Sequence, residues 1–294
     1  MPLRVATRIA DLWLTRARPL SPEAIAAQAE ASDQSPAVVV TGGSRGIGVA
    51  IAGEFASRGH AVAIVARGAG DLERAAQAIA VNAERRPLTI SCDITLPSAF
   101  AEISQSLAAQ KFYLDVLVNN AGIGLAGPFT SHNSEEIDTL LALNIAAVTR
   151  LTRAALPGML ARRRGGILNV ASLGAYVPGP HQAAYYASKA YVTSLTEAIA
   201  TENAGSGVRF SVLAPGPVET TFHADMGADQ AMYRRILPAL SPERTARAAY
   251  RGYMIGQRLI VPGLANRAAL GALKVLPHPL TAPFVAWLLR RPPH

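Results

Sequence analysis

Cysteine is almost missing from this chain. Cys92 is the only one in 294 residues, so no internal disulfide can form, and no cluster of metal-ligand spacing is present. Lysine is nearly as scarce: it stands only at positions 111, 189 and 274, and the formal charge of +8 therefore rests on arginine. No long basic block reads as a nucleic-acid arm. Arg162-Arg163-Arg164 is short and ends an apparent helix, where a solvated terminus accounts for it. The N-terminus has no continuous apolar core of a signal peptide. No run reaches the roughly 18 apolar residues that span a bilayer. These absences are compatible with a reducing compartment and leave the cytoplasm as the default location.

What is abundant is apolar and small. Half of the residues are hydrophobic and many of those are alanine, which suits helices packed closely on a sheet. The length fits one large α/β domain with added segments at its ends. Residues 1–35 read as an amphipathic helix and linker. Arg4, Arg8, Asp11, Thr15 and Arg18 recur at helical spacing, with Val5, Ile9, Leu12 and Trp13 on the other side. Such a helix packs on its own domain or on a second subunit, or lies on an anionic membrane surface.

From there strand and helix patterns alternate. Strands are expected at 37–41, 61–66, 88–91, 114–119, 166–171, 208–214 and 259–261. Helices are expected at 47–57, 71–82, 98–110, 134–162, 182–203 and 241–256. Repeated strand–helix units with short connections predict a Rossmann-like, doubly wound parallel sheet of seven strands with helices on both faces, over residues 36–263. The helix at 241–256 opens on Ser241-Pro242-Glu243, a capping serine with proline in the first turn. Residues 215–240 have no strong strand pattern and follow a strand C-terminus, the position of a substrate lid. Residues 264–294 read as a tail broken by Pro277, Pro279 and Pro283, which covers the site, forms a subunit contact or touches a membrane.

The first strand runs into Thr41-Gly42-Gly43-Ser44-Arg45-Gly46-Ile47-Gly48, which opens a helix. Glycines there permit a tight turn, close approach of a pyrophosphate and helix–sheet contact. The helix N-terminus then offers unpaired N–H groups to the phosphates. Further on, Tyr185 and Lys189 stand at i and i+4 and share a helix face. A nearby ammonium and an oxidised nicotinamide both favour the phenolate, which is expected to lower the tyrosine pKa from about 10 toward the operating range of a general acid/base. Ser172 lies just beyond a strand end, where its hydroxyl can hold a substrate oxygen. Tyr186 and Tyr176 are competing phenols, and geometry alone does not exclude Tyr186, at i−3 from Lys189.

The spacing Gly-x-x-x-Gly-x-Gly, Asn119-Asn120-Ala121-Gly122, Asn144, Ser172, Tyr185-Tyr186-Ala187-Ser188-Lys189 and Pro215-Gly216 occur in one order. In these motifs the chain resembles the short-chain dehydrogenase/reductase superfamily, in its NADP-preferring type with a Tyr-x-x-x-Lys active site. The resemblance covers residues 36–262; residues 1–35 lie outside it and the tail matches only loosely. It selects Tyr185 as the proton carrier beside Ser172. It implies that Lys189 also contacts the nicotinamide ribose, and that Asn144 helps hold a water in a relay to solvent. It places Gly42, Ser44, Arg45, Gly46, Ile47 and Gly48 on the cofactor phosphates, Asp93 on the adenine, Asn120 and its neighbours beside the adenosine ribose, and Pro215, Gly216 and either Thr220 or Thr221 near the nicotinamide, Thr220 being favoured. It also implies a homo-oligomer.

The position after the second strand that holds an acid in NAD-selective enzymes holds Arg67, and Arg45 adds a second positive charge. Arginine binds a 2′-phosphate where an acid repels it, so NADP(H) is expected; solvated surface arginines are the alternative. The expected activity interconverts a carbonyl and a secondary alcohol, with no metal, covalent nucleophile or flavin. Val218, Phe222, Met226, Met232, Tyr233, Ile236 and Leu237 in the lid favour a steroid-, lipid- or ketone-like substrate, or are packing. His181 reads as a loop histidine shaping the pocket. The rival reading is a nucleotide-binding regulatory or scaffold protein of the same fold.

Overall fold

Strand β1 (Ser35–Thr41) is apolar on both sides. Val38 and Val40 face one layer, Ala37 and Val39 the other, and all four are buried. A strand buried on both faces needs helices above and below it. The computed structural model, which describes residues 33–228, 230–236 and 238–290, shows this arrangement. The helix expected near the N-terminus and Leu237 of the lid lie outside the described residues.

After β1 come α1 (Gly46–Ala56), β2 (Ala61–Ala66), α2 (Ala69–Ala80), β3 (Leu88–Ser91), α3 (Ala99–Ala109) and β4 (Phe112–Asn119). The second half has α4 (Ser134–Leu141), α5 (Val148–Arg162), β5 (Gly166–Val170), α6 (Ala183–Glu202) and β6 (Arg209–Leu213). Short helices α7 (Phe222–Asp225) and α8 (Met232–Ile236) precede α9 (Pro242–Met254), β7 (Leu259–Ile260), α10 (Leu264–Val275) and α11 (His278–Leu289). Seven parallel strands form one sheet in the order β3-β2-β1-β4-β5-β6-β7. The winding reverses between β1 and β4, so a crevice opens at their C-terminal ends. Ile51 and Phe55 of α1, Leu72 of α2 and Tyr253 of α9 fill one core layer. Ile103 of α3, Leu151 and Met159 of α5 and Ala200 of α6 fill the other.

Two segments depart from the sequence reading. The helix expected at 134–162 is continuous but carries a π-helical segment, Ala142–Ala147, between α4 and α5. Local propensity does not register one extra residue in a turn, and such segments are frequent at functional sites. By length and composition this helix is apolar enough to cross a membrane, yet Leu140, Ala147, Leu151, Ala155 and Met159 are buried at helical spacing within the domain. The second departure is the tail. Pro277 caps α11 and Pro279 occupies its first turn, where a missing N–H leaves no bond unmade. Only Pro283 lies deeper, so the prolines mark a boundary and the span is helical.

Residues 215–240 are pinned at their base. Val218 bridges Leu240, Glu219 N donates to Leu240 O at 2.9 Å, and Leu240 N donates to Pro217 O at 3.0 Å. Ser241 Oγ accepts from Arg244 N at 3.2 Å and starts α9 as its Ser-Pro-Glu signal indicates. Met226, Ala228 and Tyr233 then join Val177 on one side and Val285 and Leu289 of α11 on the other in a single apolar cluster.

Candidate active site

The glycine turn is built for close approach. Gly42 and Gly46 have φ of 63° and 57°, a region that favours glycine. A Cβ at Gly48 would stand 2.1 Å from Gly42 O and 2.5 Å from Asn120 Nδ2, so no larger residue fits without moving the turn. Arg45 precedes α1 without a side-chain cap, and the first turn holds no acid. Its N–H groups and dipole are therefore available to an anion. Gly42, Ser44, Arg45, Gly46 and Ile47 all line one large cavity. This cradle fits a dinucleotide pyrophosphate.

Asn120 holds the turn from the neighbouring strand end. Its Nδ2 donates to Thr41 O at 3.0 Å and Gly42 O at 3.1 Å, and Thr41 Oγ1 accepts from Asn120 N and Ala121 N. Below it, Asn119 Nδ2 donates to Asn169 Oδ1 at 2.8 Å and Asn169 Nδ2 to Thr196 Oγ1 at 2.8 Å, a buried polar line across β4, β5 and α6. Sequence reasoning did not single out Asn169; its one signal is a polar residue inside an otherwise apolar strand.

Arg67 and Asp93 stand at the C-terminal ends of β2 and β3 and line the same cavity. Asp93 Oδ1 accepts from Thr95 N at 2.9 Å and Thr95 Oγ1 at 2.7 Å. Those bonds, aided by the Arg67 charge, hold its carboxyl below the usual range. Arg67 is exposed, and Ser91 Oγ donates to its carbonyl at 2.9 Å. Arg45 Nη1 instead pairs with Asp225 of α7 at 2.8 Å, across the mouth between the glycine turn and the 215–240 loop. Thr221 Oγ1 donates to the same Asp225 at 3.2 Å, whereas Thr220 lies against Gly46, its Cγ2 3.2 Å from where a Cβ would be. Pro215 O accepts from Leu173 N at 2.9 Å, and Gly216 is covered by Asn266 of α10.

Asn144, Ser172, Tyr185 and Lys189 come together at the ends of β4 and β5 and the start of α6. Ser172 and Tyr185 line the same cavity, and the Ser172 hydroxyl, which accepts from Gly174 N at 3.1 Å, acts to lower the Tyr185 pKa. Lys189 Nζ lies 5.7 Å from the Tyr185 ring centre and donates to Val170 O at 3.0 Å. Asn144 sits in the π-helical segment; its Nδ2 donates to Ile123 O at 2.8 Å and Ser188 Oγ at 3.1 Å, while Oδ1 accepts from Ile123 N at 3.0 Å. Asn144 and Lys189 both border Gly122.

The electrostatics differ from the sequence expectation. Burial raises the Tyr185 pKa, against a lowering by the Ser172 hydroxyl and together with a further raise from Tyr233. Burial also lowers Lys189 to about 8. Desolvation disfavours the charged form of each, and it outweighs the ammonium–phenol attraction in the protein alone. Tyr185 is therefore poised as a neutral donor. Cys92 also lines the cavity, its thiol pushed up to about 11 mainly by burial.

Tyr186, the competing phenol, is a packing residue. Its ring fills a slot where a Cβ at Gly174 or Gly179 would come within 2.8 Å or 2.2 Å of it. Tyr176 has its hydroxyl buried and lies under Lys274, whose Nζ is 5.2 Å from the ring centre. His181 has φ 66° and its carbonyl accepts from Gly127 N; it is a turn residue and does not line the cavity.

The cavity measures about 1330 Å³ and continues from the tyrosine into an apolar chamber. Phe222 lies 5.5 Å from Tyr185 between ring centres. Val218, Met226, Tyr233 and Ile236 line the chamber too; Met232 does not. Sequence reasoning did not name Gln182, His223 or the individual side chains of α11 as contributors. Gln182 is buried with Nε2 lacking a protein partner among the described residues. His223 Nδ1 meets Tyr233 OH at 2.7 Å. Phe284, Val285 and Trp287 of α11 close the far wall. The i, i+4 spacing of Thr281, Val285 and Leu289 was the signal available for the last, obscured by the prolines.

Comparison with known proteins agrees with this geometry. The model of the short chain dehydrogenase family matches residues 36–231. The chain belongs to that family. The 3beta-hydroxysteroid dehydrogenase 1 of Eggerthella lenta is 32% identical over 241 residues, 77% of this chain and 92% of the relative. A short-chain dehydrogenase from Sphingobium yanoikuyae in complex with NADPH is 28% identical with a TM-score of 0.72, covering 84% of this chain and 95% of that one. A 3-ketoacyl-(acyl-carrier-protein) reductase from Brucella melitensis complexed with NADH is 31% identical with a TM-score of 0.67, covering 78% and 96%.

Proposed function

We propose that this protein is an NADP(H)-dependent oxidoreductase that interconverts a carbonyl and a secondary alcohol on a bulky hydrophobic substrate. The observation that carries the reading is the Ser172–Tyr185–Lys189 cluster, set between a dinucleotide cradle and an apolar chamber. A bound nicotinamide supplies or accepts a hydride. Tyr185 gives its phenol proton to the carbonyl oxygen, the form favoured by its raised pKa. Ser172, on the wall of the same cavity, orients that oxygen, and the Lys189 charge stabilises the phenolate left behind. Asn144 ties Ile123 to Ser188, one residue before Lys189, and so fixes the strand end against α6.

NADPH and NADH complexes both occur among the solved relatives, so the choice of cofactor rests on this chain's residues. Arg67 supports a 2′-phosphate, and Arg45 supports it further once released from Asp225. The loop 215–240 acts as the lid. The steroid activity named for the Eggerthella relative and the size of the chamber support a steroid- or lipid-like ketone. Self-association completes the proposal.

The test is NADPH absorbance with a panel of bulky ketones, wild type against Tyr185→Phe, with cofactor affinity measured in parallel. Removing a general acid lowers kcat/KM by about 10²–10⁴-fold and leaves NADPH affinity intact. Turnover retained in the variant overturns the role of Tyr185. Binding without turnover on any substrate favours the regulatory reading.

A further inference from the structure

Helix α11 is apolar nearly all round, yet only one side of it is covered. Thr281, Val285 and Leu289 are buried against the 215–240 loop. Leu280, Phe284 and Trp287, at the next helical positions, are 64%, 58% and 46% exposed. Val275 and Leu276, just before it, are 82% and 46% exposed. A contiguous exposed apolar patch of this kind marks a contact surface. Four of these five side chains, Leu276, Leu280, Phe284 and Trp287, also line the large cavity. The patch is thus the outer rim of the chamber.

Charge identifies what covers it. Residues 264–294, which carry α10 and α11, hold four lysines and arginines and no acidic residue. Arg267 and Lys274 of α10 and Arg290, just after α11, are exposed. A second copy would bring two such unbalanced basic regions together. Residues 1–32, with Arg4, Arg8, Arg16 and Arg18 against Asp11, Glu23 and Glu30, bring no acidic surplus either. An anionic phospholipid surface supplies both apolar depth and opposite charge.

We propose that the α10–α11 face docks on an anionic membrane surface, with Leu280, Phe284 and Trp287 inserted among the acyl chains. The chamber then opens toward the lipid, so that a lipophilic substrate enters from the bilayer without crossing water. The entry route rests on the function proposed above; the docking does not, and it is read without turnover.

The experiment uses full-length protein and vesicles of phosphatidylcholine with phosphatidylglycerol, against phosphatidylcholine alone. Trp13 and Trp287 are the two tryptophans, so Trp13→Phe makes Trp287 the only reporter. Sedimentation is expected about tenfold stronger with the anionic vesicles and weakened by salt, with a blue shift of Trp287 emission. Leu280→Glu with Phe284→Glu, checked by circular dichroism, is expected to abolish sedimentation. Unchanged sedimentation of that double variant, or absence of vesicle binding by the wild type, overturns the proposal. So does a fall in the light-scattering mass of the double variant from dimer to monomer, which would assign the face to a second copy. If the double variant does not fold, the Trp287 shift decides: an unshifted spectrum on vesicles overturns docking through α11.

Discussion

Lys189 should make the protein less stable than it need be. The residue is 6% exposed, and burial lowers its pKa from 10.5 to about 8. At about 1.36 kcal/mol per unit, this depression corresponds to roughly 3 kcal/mol of destabilisation while the group stays charged. Lys189→Met keeps the stem and removes the charge. It also removes the bond to Val170 O, at a cost of about 1 kcal/mol. The variant is therefore expected to be more stable than wild type by about 2 kcal/mol at neutral pH, and to melt roughly 4–8 °C higher. The sign with pH follows from the depressed pKa. Between about pH 8 and 10.5 the unfolded chain keeps a proton that the folded one has lost, so wild-type stability relative to the variant rises with pH. Other titrating groups are common to both proteins and cancel in the difference. Urea midpoints for both proteins at neutral pH and near pH 10 measure this directly, and ketone reduction should be lost in the variant at either pH. A variant less stable than wild type at neutral pH, or a difference unaffected by pH, refutes the reasoning.

Three further expectations follow from the site. Gly48→Ala places a methyl 2.1 Å from Gly42 O and should weaken NADPH binding at least tenfold by fluorescence titration, whereas Gly53→Ala in the same helix, with its nearest neighbour at 3.9 Å, should leave it unchanged. Arg67→Asp should lower the kcat/KM ratio of NADPH to NADH by about 10- to 100-fold, the worth of a charge-assisted contact of roughly 1.5–3 kcal/mol; an unchanged ratio removes Arg67 from cofactor selection. Asn144→Leu leaves the Ile123 N–H and carbonyl without their partner and should cost about 2 kcal/mol in a denaturant titration.

The sheet was legible because its strands are short apolar runs alternating with helix-period segments; their order across the sheet was seen only in the structure. The residues of the proposed cluster were legible in the sequence from the shared helix turn of Tyr185 and Lys189, the place of Ser172 at a strand end and the resemblance that links them. What sequence could not give depends on neighbours distant along the chain. The Asn144 orientation comes from a π-helical segment that no local preference signals. Helix spacing alone did not separate Tyr186 from Tyr185; the resemblance did, and the physical reason, Gly174 and Gly179 clasping the Tyr186 ring, shows only in the structure. Arg45 read as a free cation because Asp225, its partner, lies 180 residues away. The electrostatic expectation for Tyr185 counted the ammonium and omitted desolvation, which depends on walls contributed by the 215–240 loop and the terminal helices.

Met226 and Tyr233 of that loop share one cluster with Val285 and Leu289, and Met232 N donates to Arg290 O. In the function proposed above, the loop acting as lid cannot swing by itself; it must peel away from the last helix. On that reading, departure of product is tied to a part of the chain that takes no part in the chemistry. Changes near the C-terminus can retune how fast the enzyme cycles while every reacting group stays as it is.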